Sequence, residues 1–172
     1  ALNCALILAK RYSLIAEEKL KTASGERKEQ LSLLFDTLNK VPARGAETLY
    51  EAIQSFIIMW EVMCLEQAPN PFAFSVGNAD RLFEPYRAHD GLGRDEPAAL
   101  LKHFLVFFNV ADRSWAISQN LIVSGRDKDG RDLTNDTTYA LLDAYYDMNL
   151  PQPILSVKLH KNTPEKLYRE LG

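Results

Sequence analysis

The sequence predicts a helix-rich α/β fold with a parallel βαβ unit across residues 119–160. Three observations predict it. Residues up to about 110 run mostly in the three- and four-residue apolar spacing of helices. Two short apolar runs, "QNLIVSG" and "PILSVKL", follow late in the chain. A capped helical pattern, "TNDTTYALLDAYYDMN", separates them. Strand, helix, strand at that spacing implies parallel pairing through a crossover. Residues 1–172 then form a single partial domain, with 1–110 mainly helical and 111–172 a βαβα segment.

Taken in order, residues 1–23 read as a helix, with Leu2, Leu6, Ala9, Ser13 and Ala16 on one stripe. "SGER" breaks it, and "KEQLSLLFDTLNKV" forms a second helix closed by Pro42. Thr48 and Glu51 have the spacing of a capping box, in which hydroxyl and carboxylate satisfy orphan N–H groups. The helix that follows, to about Gln67, is apolar around most of its circumference and so predicts burial on several sides. "APNP" ends it. "FAFSV" reads as a short strand, and "ADRLFEPYRAHD" as a short helix. Asp95-Glu96-Pro97 starts the next helix, with a capping carboxylate and a proline in the first turn. The two late strands are apolar with little alternation, which suits a sheet covered on both faces. "TPEKLYREL" begins a last helix.

Composition excludes several classes. The chain is 47% apolar with net charge −3 and no basic stripe, so nothing in its electrostatics suits nucleic acid. Cys4 and Cys64, the only cysteines, sit in helical patterns, which fits a reducing compartment rather than a disulfide scaffold or zinc site. "IQSFIIMWEVMCL" is interrupted by Glu61 and falls short of the roughly 20 apolar residues of a membrane span. The first residues lack the basic leader of a signal peptide. The chain starts inside one helical pattern and stops early in another, which gives the expectation of a piece of a longer protein.

"DKDGRD" invites a calcium loop. With Gly130 at the sixth position of such a loop, only Asp127 and Asp129 fall on ligand positions, and a strand and a helix flank it rather than two helices. A tight turn with positive φ at Gly130 and solvated charges is the better reading. His89, His103 and His160 show no metal-ligand spacing and read as surface or partly buried side chains. Cys64 with Glu66 lies on a helix, where residues two apart face different ways, and reads as a small apolar residue. Trp115, beside Asp112 and Arg113, stands before the first late strand, where an indole floors a pocket or caps the core.

The ordered set Asn120-Leu121-Ile122-Val123-Ser124-Gly125, Asp127, Gly130, Asp132, Thr134-Asn135, Pro151-Gln152-Pro153-Ile154-Leu155-Ser156-Val157-Lys158 and Pro164 resembles the pyruvate formate-lyase type of glycyl radical enzyme. "RYSLIAEEKL", "VPARGAETLYEAIQSF" and "SVGNADRLFEPYRAHD" extend the likeness over essentially the whole chain. The resemblance implies part of a ten-stranded α/β barrel of two half-barrels with helices outside. It implies a glycyl radical that passes its spin to a central cysteine, whose thiyl radical cleaves C–C, C–O or C–N bonds of a small organic substrate. It further implies an activating enzyme using S-adenosylmethionine and an iron–sulfur cluster, and an anaerobic bacterial cytoplasm.

Carried over by position, the resemblance makes Trp115 a pocket-lining aromatic. It places Phe72 and Ala73 where dehydratase-type members present polar groups to substrate. Both being apolar counts against a diol or glycerol held in the usual way. The chain departs from the family at Ser124, usually Gly, at Ile154, often Asn, and at Lys158, often Arg. Neither Cys4 nor Cys64 falls at the thiyl position and no glycine stands in the radical motif, so no catalytic residue, metal or resident cofactor is expected in residues 1–172, and the chain alone is expected to be inactive. The competing expectation is a non-catalytic binding or scaffold module derived from the fold. An open sheet edge gives the expectation of self-association.

Overall fold

A computed structural model describes residues 2–66, 75–109 and 119–172. The chain divides into two compact units, residues 1–66 and 67–172.

The first unit holds α1 (Leu2–Leu20), α2 (Gly25–Lys40) and α3 (Leu49–Glu66). Ala5, Ala9, Leu38 and Ile58 form its core, with Leu8, Leu34, Met59 and Val62 packed against them. Small residues on α1 let its neighbours approach closely, so the buried stripe runs through Ala5, Ala9, Ser13 and Ala16. Leu6, expected on that stripe, is 41% exposed. Leu14 and Ile15 are also exposed. The capping box forms as the spacing implies: Glu51 N–H donates to Thr48 Oγ1 at 3.2 Å and Thr48 N–H to Glu51 Oε2 at 3.4 Å. Lys40 pairs with Glu47 and Glu51 and ties the end of α2 to the start of α3. Cys64 is buried on α3 and Cys4 is exposed on α1. Among the described residues no helix is long and apolar enough to cross a membrane.

The second unit holds β1 (Gly77–Asn78), α4 (Ala79–Asp90), α5 (Asp95–Phe107), β2 (Asn120–Ser124), α6 (Asp136–Met148), β3 (Ile154–Lys158) and α7 (Glu165–Leu171). The strands pair in the order β1-β2-β3, both pairs parallel, with Gly77 opposite Leu121 and Ile122 opposite Ser156. The predicted βαβ unit is therefore present. The strand expected over "FAFSV" lies slightly later, at Gly77–Asn78; residues 72–74 are outside the described set.

Residues in register share a face of a sheet. Leu155 and Val157 face Tyr139, Leu142 and Leu167 of α6 and α7. Their register partners Leu121 and Val123 are fully buried. The opposite face carries Asn78, Asn120, Ile122 and Ser156, all only half-buried. Ile154 on that side is 48% exposed. Among the described residues the sheet is thus covered on one face, where the apolar sequence implied two. Polar residues at alternate positions account for the difference.

Local signals set the element ends. Gly91, at φ +66°, stops α4 in the left-handed region that favours glycine. Asp95 is the first residue of α5, and the carboxylate that closes this start belongs to Glu96, which accepts from Gly93 N–H at 3.2 Å. Asn135 caps α6, its side chain accepting from Thr138 N–H while Thr138 Oγ1 accepts from Asn135 N–H. Phe83, Phe104 and Phe108 meet edge to face, with centroids 5.3 and 5.0 Å apart, and fix α4 on α5. Arg94 forks onto Asp143 of α6 and Glu170 of α7, and these bonds raise its already high pKa further.

Candidate functional site

The two ends of the parallel sheet differ in chemistry. At the carboxy-terminal end, β2 runs into Ser124 and Gly125, both with positive φ, +62° and +105°. Asp80, fully buried at the start of α4, accepts there from Ser124 N–H at 2.6 Å and from the Thr138 hydroxyl at 2.7 Å. Its other oxygen takes Arg81 N–H at 2.8 Å. Burial is the largest influence on Asp80 and raises its pKa above the usual carboxylate range, although all three donors pull it down.

The network continues across the same end. Ser124 Oγ lies 2.9 Å from Thr134 Oγ1, whose hydroxyl donates to Asp132 Oδ1 at 3.0 Å. Asp132 Oδ1 is also 2.9 Å from His160 Nε2. Asn162 N–H donates to His160 Nδ1, so that nitrogen accepts and Nε2 carries the proton toward Asp132. The charged stretch ahead of α6 is a closed turn. Asp127 Oδ1 accepts from the N–H groups of Asp129 and Arg131, and Gly130 has φ +83°. Arg131, first among its partners, holds the Asp127 carboxyl below its ordinary range. Asp80, Ser124, Thr134, Asp132 and His160 are thus partnered within the chain, while the buried Arg81 Nε has no partner.

At the amino-terminal end the contacts among the described residues join neutral groups. Asn120 N–H donates to Ser75 Oγ at 3.3 Å, and Ser156 Oγ donates to Asn120 Oδ1 at 3.0 Å. Asn109 Nδ2 donates to the Gln152 carbonyl at 2.6 Å, and Ile154 N–H to the Gln119 carbonyl at 2.7 Å. Gln119 is 1% exposed, and neither polar atom of its carboxamide has a hydrogen-bond partner. Gln152 Oε1 and, on the open face, Asn78 Oδ1 are buried and unpartnered as well. Such groups bind and orient by hydrogen bonding; none is a general acid or base at neutral pH.

Trp115, Phe72 and Ala73, the residues the sequence nominates for substrate, lie outside the described residues. The described chain resumes beside them, at Ser75 before β1 and Gln119 before β2, both at the amino-terminal end. Sequence reasoning singled out neither Gln119 nor the Asn120–Ser156 contact. The available signal was the polar residue at alternate positions of two otherwise apolar strands.

Both cysteines belong to the first unit, Cys4 exposed and Cys64 buried. Among the described residues no cluster of His, Cys, Asp and Glu could hold a metal ion.

A family model described as pyruvate formate lyase-like matches residues 1–172. Trans-4-hydroxy-L-proline dehydratase of Clostridioides difficile is 28% identical over 98% of this chain, which corresponds to 23% of that enzyme. Isethionate sulfite-lyase of Bilophila wadsworthia is 28% identical over 94% of the chain and 21% of its own length. The crystal structure of a glycyl radical enzyme from Archaeoglobus fulgidus superposes with a TM-score of 0.87 at 27% identity, covering 97% of this chain and 23% of that one. The chain thus spans about a fifth to a quarter of the length of these relatives. The helix-rich fold with its parallel sheet matches part of a glycyl radical enzyme barrel.

Proposed function

Because the chain belongs to the pyruvate formate lyase-like family, we propose that residues 1–172 build one wall of the substrate chamber of a glycyl radical enzyme. The reaction is radical cleavage of a C–C, C–O or C–N bond in a small organic molecule. The observation that carries this reading is the three-stranded parallel sheet, with one face on α6 and α7 and an open face bearing Asn78, Asn120 and Ser156. A sheet that buries one face under its own helices offers the other to the inside of a barrel.

In this reading the amino-terminal end of the sheet is the substrate end, and Phe72, Ala73 and Trp115 line it. The wall binds, orients and excludes water. The apolar pair at 72–73 selects a substrate with an apolar part. An activating enzyme installs the radical on the complete protein, and no chemical step falls to a residue of this chain. Residues 1–172 alone are catalytically silent, since neither Cys4 nor Cys64 falls at the position the family uses for its thiyl radical.

The test is anaerobic reconstitution of the complete reading frame with an activating enzyme. The expected result is a glycyl-radical signal by electron paramagnetic resonance. Turnover of a small alcohol, hydroxy amino acid or sulfonate should fall at least about tenfold in Trp115→Ala, the scale of losing a substrate-positioning contact. Turnover by residues 1–172 alone, or full activity of Trp115→Ala, would overturn the reading.

A further inference from the structure

Arg81, Arg87 and Arg94 are all half-buried in the second unit, but they are not treated alike. Arg87 pairs with Glu84 and Asp136, and Arg94 with Asp143 and Glu170. Arg81 has no such partner: among the described residues no carboxylate engages its guanidinium. Its Nη2 donates to the Ser124 carbonyl at 3.0 Å, and its Nε is buried with no acceptor. Asp80, the nearest carboxylate in sequence, already holds the Ser124 N–H, the Thr138 hydroxyl and the Arg81 backbone N–H. A guanidinium carries five N–H donors in a planar fork that matches an oxyanion, and here a single carbonyl meets it.

A second cation stands beside it. Lys158 closes β3 opposite Ser124, is exposed, and forms no hydrogen bond or ion pair among the described residues. Gly125 brings the two together. A Cβ at Gly125 would lie 3.2 Å from Arg81 Nη2 and 3.4 Å from Lys158 Cδ, so the missing side chain is what lets fork and stem converge. One carboxylate, engaged by three donors, thus stands against two cations. We propose that Arg81 and Lys158 form a binding site for a small oxyanion, a phosphate, sulfonate or carboxylate group, at the carboxyl ends of β2 and β3. The planar fork of Arg81 fixes the orientation of the group, and the flexible Lys158 ammonium supplies the second charge. The carboxyl ends of parallel strands are where ligands of open α/β sheets commonly settle. The site lies at the opposite end of the sheet from the substrate end proposed above and does not depend on that reading.

The oxyanion has two sources, a free ligand or an acidic side chain elsewhere in the complete protein, and the experiment separates them. Inorganic phosphate is titrated calorimetrically into the complete protein and into the chain of residues 1–172, with ionic strength held by sodium chloride. The expected result is one site with a roughly millimolar dissociation constant. Binding should weaken at least about tenfold in Lys158→Gln and in Arg81→Gln, the scale of one lost charge-assisted hydrogen bond, and stay within about twofold in the charge-keeping Lys158→Arg. Lys158 is exposed, so its variants keep the fold, and cooperative thermal unfolding checks that they do. Binding by the complete protein identifies a free ligand. Binding by residues 1–172 but not by the complete protein identifies an acidic side chain as the occupant of the same site. Binding by neither, or equal binding by wild type and Lys158→Gln, overturns the proposal.

Discussion

The two ends of the β1-β2-β3 sheet are built on opposite principles. The carboxy-terminal end concentrates charge and then consumes it: Asp80, Asp132 and His160 are each held by partners from the chain itself. Among the described residues the contacts of the amino-terminal end join neutral groups, and Gln119 and Gln152 keep buried polar atoms without partners. Ligands of open α/β sheets commonly sit at the carboxyl ends of strands. Here Asp80, Asp132 and His160 at that end are held by hydrogen bonds from the chain itself. Buried polar groups left unmatched cost stability.

The largest test of this comparison is Asp80→Ala. It strands the Ser124 N–H and the Thr138 hydroxyl in a buried site and should cost about 3 kcal/mol by urea unfolding. Asp80→Asn keeps one acceptor and should cost about half as much. A loss below about 1 kcal/mol for the alanine variant would show that the carboxy-terminal end is not the clamp described. Gly125→Ala comes next, at about 2 kcal/mol. A Cβ there meets Arg81 Nη2 at 3.2 Å and Lys158 Cβ at 3.3 Å, with φ already at +105°.

The pH dependence of stability should also belong to the carboxy-terminal side. Burial pushes the Glu84 carboxyl up, but Arg87 and then the hydroxyl and N–H of Thr137 outweigh it, so its folded pKa is lowered. Its contribution is present above its unfolded value of about 4.3 and is lost as pH falls through the lower folded value. Asp80 has the opposite sign: its raised pKa gives a contribution present below about 3.9 that is lost as pH rises through the folded value. Unfolding followed from pH 7 to 3 should therefore show a shallower acid loss in Glu84→Gln and a steeper one in Asp80→Asn.

Smaller effects sharpen the contrast. Gln119→Leu removes a buried carboxamide that bonds to nothing, and should be neutral or stabilising by up to about 1 kcal/mol. Destabilisation beyond about 2 kcal/mol would erase the difference between the two ends. Ser124→Gly trades the bond to Thr134 against relief of a left-handed backbone, and the two, each about 1 kcal/mol, should nearly cancel in thermal unfolding.

Much of this architecture was legible in the chain because its signals are short-range. The capping box at Thr48 and Glu51, the cap at Asn135, the span of α4 and the turn at Gly130 each depend on residues within about five positions. The face of α1 was less legible. Apolar spacing favoured Leu6, but packing against α2 and α3 selected Ala5 and its small neighbours, because close helix approach rewards small side chains over hydrophobic ones. The residues nominated for substrate rest on positional likeness, and the described structure reaches only to their flanks at Ser75 and Gln119.

By itself the sequence determined the order of elements, the parallel βαβ unit and the family, since periodicity, caps and ordered motifs are written locally. Only the tertiary structure decided which polar groups meet. Asp80 finds Ser124 and Thr138 across 44 and 58 residues, and Asp132 finds His160 across 28. No local pattern encodes such pairings. They arise when the sheet register brings strand ends together and burial forces each polar atom either to find a partner or to wait for one.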